Sequence, residues 1–420
     1  MKFKNSFTTT VFCPDKTACI QKGQATNYPR VIELRANGTN NGRLLATFEN
    51  DLQIDLPNFP IFESIDGGKT WHQIGAVADV KNGWGNRFHP DLIELQTDMC
   101  GFKKGTLLCA GLSVPAKLNG APENLDIKYT EIVLYASVDC GKSWEYVSSV
   151  DIGGSCVEDT LREDDCPIWE PNLVCAGDKL VCFFSDERRH RDGYAQNIVY
   201  RYTTDGVLWS PLVDVVRKKT LLWWKDPKWD GLLSTTLLAK YGFFRYGMPI
   251  VKKLSNNKFL MVYELVGLED LGTVYYKISD DGLNWGDPDD PGIKLILRHG
   301  NGEDHTLHSM PYITVRNTGE ILICARRDDD ILTGERYGHI AYSNDNGKTW
   351  SCIDEPIHYD LDSCFSGWSM GMTFFGPGQK KFIQLTPAPC KEHNVAPTDG
   401  SFYCQSPFYD IRATICDVEE

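Results

Sequence analysis

No apolar run in the chain approaches the about 18 residues that a membrane-spanning helix needs. The opening stretch, MKFKNSFTTTVF, carries basic residues but no apolar core, so no secretory leader is visible in it. Positive charge is in short supply: Lys and Arg number 43 against 57 Asp and Glu, a formal charge of -14. That balance argues against nucleic acid or an anionic membrane surface as partner, and it sits awkwardly with a polyanionic substrate. No CxxC pair or His/Cys cluster has zinc-site spacing, so neither a metal nor an organic cofactor is expected. Helix-period segments longer than two turns are also missing, which leaves an all-β chain.

Cysteine, by contrast, is plentiful, with 15 residues. Cys109, Cys175, Cys182 and Cys324 lie inside apolar strand-like runs and read as small core residues. Cys13 with Cys19, Cys156 with Cys166, and Cys390 with Cys404 sit in loop-like sequence and could pair, which leans toward an extracellular protein. Asn37-Gly38-Thr39 is a glycosylation acceptor by sequence. The 11 Trp and 18 Tyr suit sheet cores, and also the faces of sugars.

One short pattern recurs. Residues 64–71 read SIDGGKTW, 137–144 SVDCGKSW and 343–350 SNDNGKTW, with shorter variants TTDGVLW at 203–209 and SDDGLNW at 279–285. In each, Asp can accept backbone N–H groups inside a hairpin turn, Gly supplies a positive φ, and Trp packs between sheets. Asp66, Asp139, Asp205, Asp281 and Asp345 therefore read as structural. They recur about every 65 to 75 residues, and a hairpin per period means a toroidal or stacked β array. Four short strands surround each turn, and a sixth unit without an Asp-turn is visible in MGMTFFG, KKFIQLTP and IRATICDV. The expectation is a single domain over residues 1–420, a six-bladed β-propeller with four antiparallel strands per blade. Its blades fall near 27–80, 86–152, 166–217, 245–298, 305–358 and 366–420, with a long connection at 213–244.

In such a ring, the start of each first strand and the end of each second strand face one mouth, opposite the Asp-turns. These slots hold two acids next to apolar segments: Glu170 in CPIWEPNLVC and Glu264 at the end of FLMVYE. Partial desolvation could split their pKa values, the condition for one carboxyl to protonate a departing oxygen while the other attacks or activates water. Pairing of each with an arginine such as Arg245 or Arg188 is the structural alternative. Around them, Arg30, Trp84, Arg87, His89, Trp169, Asp186, Arg245 and Trp368 are expected to bind substrate.

The Asp-turns resemble the Asp-boxes of sialidase-like propellers. RLLATFEN, FPIFESIDGGKTW, KNGWGNRFHPDLIEL, CPIWEPNLVC through FFSDERR, and RYGMPIVKKLSNNKFLMVYE resemble glycoside hydrolase family 93, the exo-α-1,5-L-arabinanases. The resemblance implies Glu170 as nucleophile and Glu264 as general acid/base of a retaining enzyme that releases arabinobiose from the non-reducing end of arabinan. It implies a monomer acting on a polysaccharide. Two departures are the long connection, with Trp223, Trp224 and Trp229, and Trp368 where a tyrosine is expected. A sialidase or other exo-glycosidase, and a non-catalytic carbohydrate-binding propeller, are the alternatives; a sialidase would need an arginine triad such as Arg30, Arg245 and Arg326, and a binding propeller gives no reason for two facing acids.

Overall fold

The computed structural model describes residues 1–14, 26–50, 56–115, 129–154, 166–189, 192–219, 245–267, 271–298, 304–327, 339–354, 369–389 and 409–419. Strand β1 spans Lys2–Phe12 and is followed by a four-stranded antiparallel meander of β2 (Thr26–Glu33), β3 (Leu44–Asn50), β4 (Phe59–Ser64) and β5 (His72–Val77). The same order repeats in β6 (Asn86–Glu94), β7 (Leu107–Ser113), β8 (Thr130–Ser137) and β9 (Glu145–Gly153), and again in β10 (Ile168–Ala176), β11 (Lys179–Asp186), β12 (Asn197–Thr203) and β13 (Val213–Val216). The fourth group comprises β14 (Arg245–Lys253), β15 (Phe259–Val266), β16 (Leu271–Ser279) and the short β17 (Ile293–Lys294). After β18 (Ile296–Arg298) comes the fifth, β19 (Asp304–Val315), β20 (Ile321–Arg327), β21 (His339–Ser343) and β22 (Ser351–Asp354). A Thr273–His308 pairing and β18 join these two groups into one continuous sheet.

The last sheet contains β23 (Gly371–Phe375), β24 (Lys381–Pro389) and β25 (Tyr409–Glu419), and its outer strand is β1, paired antiparallel with β25 from Lys2–Glu419 to Phe12–Ile411. The N-terminal segment was not expected as a strand of this sheet. The first strands adjoin in sequence, β2 against β6, β6 against β10, β10 against β14, β14 against β19 and β19 against β23, and β23 lies against β2. Apolar clusters fill the spaces between successive sheets; one joins Val174, Val181, Ile198 and Phe183 to Val251, Met261, Tyr263 and Trp285.

The Asp-turns lie between third and fourth strands. Asp66 Oδ1 accepts from the N–H groups of Lys69 and Thr70 at 3.0 Å, Thr70 Oγ1 donates to Oδ2, and Trp71 Nε1 closes on the Gly68 carbonyl. Asp139 and Asp345 repeat the pattern; Asp205 and Asp281 do so with two backbone donors each. Gly68 and Gly141 have φ +88 and +90. Cys109, Cys182 and Cys324 are buried strand residues and Cys175 is half-buried. Cys19, Cys156, Cys390 and Cys404 lie outside the described residues, as does Trp368 and the 220–244 part of the long connection. Asn37 is pinned: Nδ2 donates to Glu94 Oε1 at 2.7 Å and to the Gly105 carbonyl at 2.9 Å. No described helix is long and apolar enough to cross a membrane.

Candidate active site

A local motif sets the site. Five of the six first strands contain a residue followed by proline: Tyr28-Pro29, His89-Pro90, Glu170-Pro171, Met248-Pro249 and Met310-Pro311. The residue before each proline has positive φ, from +48 at Tyr28 to +60 at Glu170, and Ser369, two residues before β23, has φ +59. The ladder to the second strand slips there in every pairing from β2 to β19. Proline removes a donor and the bulge frees the neighbouring amide, so β6, β10, β14 and β19 each turn one N–H toward the preceding sheet.

Side chains of the preceding sheet accept those N–H groups. Glu49 Oε1 takes His89 N at 2.7 Å, His89 Nδ1 takes Glu170 N at 3.2 Å, Glu170 Oε2 takes Met248 N at 2.6 Å, and Glu264 Oε2 takes Met310 N at 3.2 Å. The two glutamates are thereby brought to adjacent sheets and fixed by the bulges of their neighbours. Glu170 Oε2 also accepts from Ser185 Oγ at 2.7 Å, and Glu264 Oε1 pairs with Arg245 Nη1 at 2.9 Å. Their relative exposures are 9% and 4%. A Cβ built on Gly247 would lie 3.4 Å from Glu170 Oε2 and 3.5 Å from Glu264 Oε1. That shared point puts these two oxygens within about 7 Å of each other, close enough for the about 5–5.5 Å carboxyl separation of retaining glycosidases. A methyl at 247 would also meet Gln196 Nε2 at 2.7 Å, so the amide end of Gln196 would have to shift.

Burial pushes Glu170 above the ordinary carboxyl range; Arg245 pulls it down and the charge of Glu264 pushes it further up. His89 is lowered to about 3, by burial first and then by Arg30 and Arg245, so its imidazole is neutral. Because Nδ1 accepts the Glu170 N–H, the His89 proton is assigned to Nε2, which faces Glu49 at 3.7 Å.

The remaining expected residues divide. Arg245 joins the pair, and Gln196, which residue patterns did not single out, accepts its Nε at 2.8 Å. Trp169 flanks Glu170 and donates from Nε1 to Glu187 at 3.1 Å. His89 lies behind Glu170 as its backbone anchor. Arg30 is buried in a layer below, bonded to the Pro29 carbonyl and Ser369 Oγ, 3.8 Å from Asp91 and over the Tyr312 ring. Asp186 is consumed by Arg188, which also binds Asp151. Arg87 stacks over Phe88, and Trp84 lies parallel to Tyr129. The recurring X-Pro dipeptide is the signal that could have placed His89, Met248 and Met310 beside the glutamates.

No protein-family model and no curated protein matches the chain. Solved structures do. An α-L-arabinanase of Penicillium chrysogenum, complexed with arabinobiose, is 28% identical with a TM-score of 0.73, covering 99% of each chain. The glycoside hydrolase family 93 α-L-arabinofuranosidase of Fusarium graminearum, also complexed with arabinobiose, is 26% identical at TM-score 0.73 over 98% of each chain. A Hadza microbial sialidase, at 12% identity and TM-score 0.54, covers 94% of this chain and 66% of its own, and shares the fold alone. Over its whole length, the chain is a structural relative of the glycoside hydrolase family 93 enzymes, with a sialidase-like all-β fold.

Proposed function

We propose that the protein is an exo-acting, retaining glycoside hydrolase, a six-bladed β-propeller in one domain, that releases arabinobiose from the non-reducing end of arabinan. The observation that carries this reading is the convergence of Glu170 Oε2 and Glu264 Oε1 on the one point above Gly247. Likeness to the two arabinobiose complexes supports the sugar. A polymeric substrate places its work outside the cell.

Glu170 is the nucleophile. Among the described residues its Oε1 has no hydrogen bond, whereas both oxygens of Glu264 are engaged. Oε2, held by Met248 N and Ser185 Oγ, orients the carboxylate so that Oε1 can attack the anomeric carbon. Glu264 protonates the leaving oxygen; after departure it takes a proton from water, which opens the glycosyl ester on Glu170 and restores both carboxyls. Arg245 and Gln196 hold Glu264 in place. Burial favours the protonated form of Glu170, whereas the attack needs its carboxylate.

Arg30, which a sialidase would turn to its substrate carboxylate, is instead committed to Ser369, Pro29 and Asp91. The test is arabinobiose release from linear arabinan, with a sialoside as control. Glu170→Ala and Glu264→Ala should each lose at least about three orders of magnitude in kcat/KM. Azide should rescue Glu170→Ala to the inverted glycosyl azide and Glu264→Ala to the retained one. Turnover of the sialoside alone refutes the reading.

A further inference from the structure

The connection between β5 and β6 is built around a buried carboxylate with no part in the chemistry above. Asp79 Oδ1 accepts from the N–H groups of Lys81 and Asn82 at 3.1 and 3.0 Å, and Oδ2 from those of Trp84 and Gly85 at 3.0 and 3.2 Å. Ser113 Oγ and Tyr135 OH donate to the same group. A second buried acid, Glu131, binds Lys81, Ser149 and Asn82 Nδ2. Gly85, at φ +108, passes so close to Pro57 that a Cβ would meet its Cδ at 2.6 Å. Four backbone donors on one aspartate leave this loop little freedom.

What the scaffold presents is aromatic. The Trp84 ring lies within 12° of parallel to Tyr129, centroids 6.0 Å apart, and Tyr129 is 49% exposed. Trp84 precedes β6, Tyr129 precedes β8 and Trp169 lies at the start of β10. Strand alternation puts all three at the end of the sheets that carries Glu170. Inward from there, Phe88 meets Trp169 at 6.2 Å, and Trp169 meets His89 at 5.8 Å beside Glu170. The Trp84–Tyr129 stack thus lies at the same end of the sheets as Phe88 and Trp169, whose rings lead to His89 beside Glu170. A sugar ring offers C–H groups with slight positive charge to the negative face of an aromatic ring. A preformed platform loses little entropy in binding one.

We propose that Trp84 and Tyr129 form a distal subsite that holds the part of the polysaccharide chain retained after cleavage. The inference deepens the arabinan reading and rests on it for the identity of the sugar. Chain beyond the sugar next to the scissile bond would lie along the strip, so the platform acts on polymer and not on the shortest substrate.

The test compares the full-length protein with Tyr129→Ser and Tyr129→Phe, using retardation in gels containing linear arabinan together with kinetics on linear arabinan and on arabinotriose. Loss of the ring should reduce retardation and raise KM for arabinan about three- to tenfold with kcat held, as expected for one stacked ring. The ratio of arabinan to arabinotriose kcat/KM should fall by the same factor, and phenylalanine should restore it. Equal losses on both substrates, no change on either, or failure of phenylalanine to rescue would overturn the subsite. If the native protein is retarded but cleaves neither substrate, the hydrolytic reading falls, while weaker retardation of Tyr129→Ser alone still upholds the platform. A native protein that is not retarded overturns it.

Discussion

Glu170 combines three demands that conflict: it is buried, its backbone has φ +60, and the proposed attack needs it ionised. Its folded pKa lies above the unfolded value, so the folded state binds the proton more tightly. Stability from this group is therefore full below the unfolded pKa and is lost as pH rises through the folded one. Glu170→Gln can keep the acceptor for Met248 N and Ser185 Oγ without the charge. Thermal unfolding should show it more stable than the native protein near neutral pH, with the difference vanishing in acid; a variant less stable at neutral pH would contradict this. Activity has the opposite dependence on the same proton. The acid limb of kcat/KM should fall above 4.5, the ordinary glutamate value. An acid limb at or below it would show Glu170 unperturbed. At this scale the sequence was partly legible. Apolar neighbours marked Glu170 and Glu264. His89 and Arg30 were assigned to the sugar because their slots suggested it, but a positive-φ bulge adds a residue and breaks strand alternation. His89 therefore backs onto Glu170, and Arg30 points into the layer beneath.

Among the elements, the Asp-turns were the most legible, because every contact that defines them is local. Asp66 is held at about 2; slight burial opposes this, but hydrogen bonds from Thr70, Ser64 and Lys69 outweigh it. Asp66→Ala should cost about 1 kcal/mol or less of stability, given its exposure, and leave kcat unchanged; loss of kcat at unchanged stability would give that turn a role in the chemistry. Strand β1 was not legible. Most of KFKNSFTTTVF is exposed in the folded protein, so no apolar alternation marks it, and its partner β25 lies at the other end of the chain. Val11 is its buried anchor, packed in the cluster with Ile411, Ala413 and Ile415. Val11→Asp buries an unpaired charge and should lower stability by about 2–4 kcal/mol. Chemical denaturation would check this, and a loss below about 0.5 kcal/mol would mean that β1 contributes little to closure.

For the whole molecule, the ring of first strands is fastened side chain to backbone in two layers. In the lower one, Asp91 Oδ2 accepts from Asn172 Nδ2 and Leu173 N, and Asn172 Oδ1 accepts from Val251 N at 2.8 Å, linking three successive sheets. In the upper one, Glu170 and Glu264, the proposed catalytic pair, supply two of the fasteners. The bonds that join successive sheets thus also bring Glu170 and Glu264, far apart in sequence, to one point in space. The strand repeat made the ring legible, whereas the fasteners were hidden because each joins residues from different units. The most direct test of the paired carboxylates is the anomeric configuration of the first sugar released from arabinan, followed by proton NMR before mutarotation. Attack by Glu170 followed by hydrolysis of the glycosyl ester predicts the retained α-anomer. Initial appearance of the β-anomer would mean a single displacement by water, and would contradict Glu170 as the attacking group.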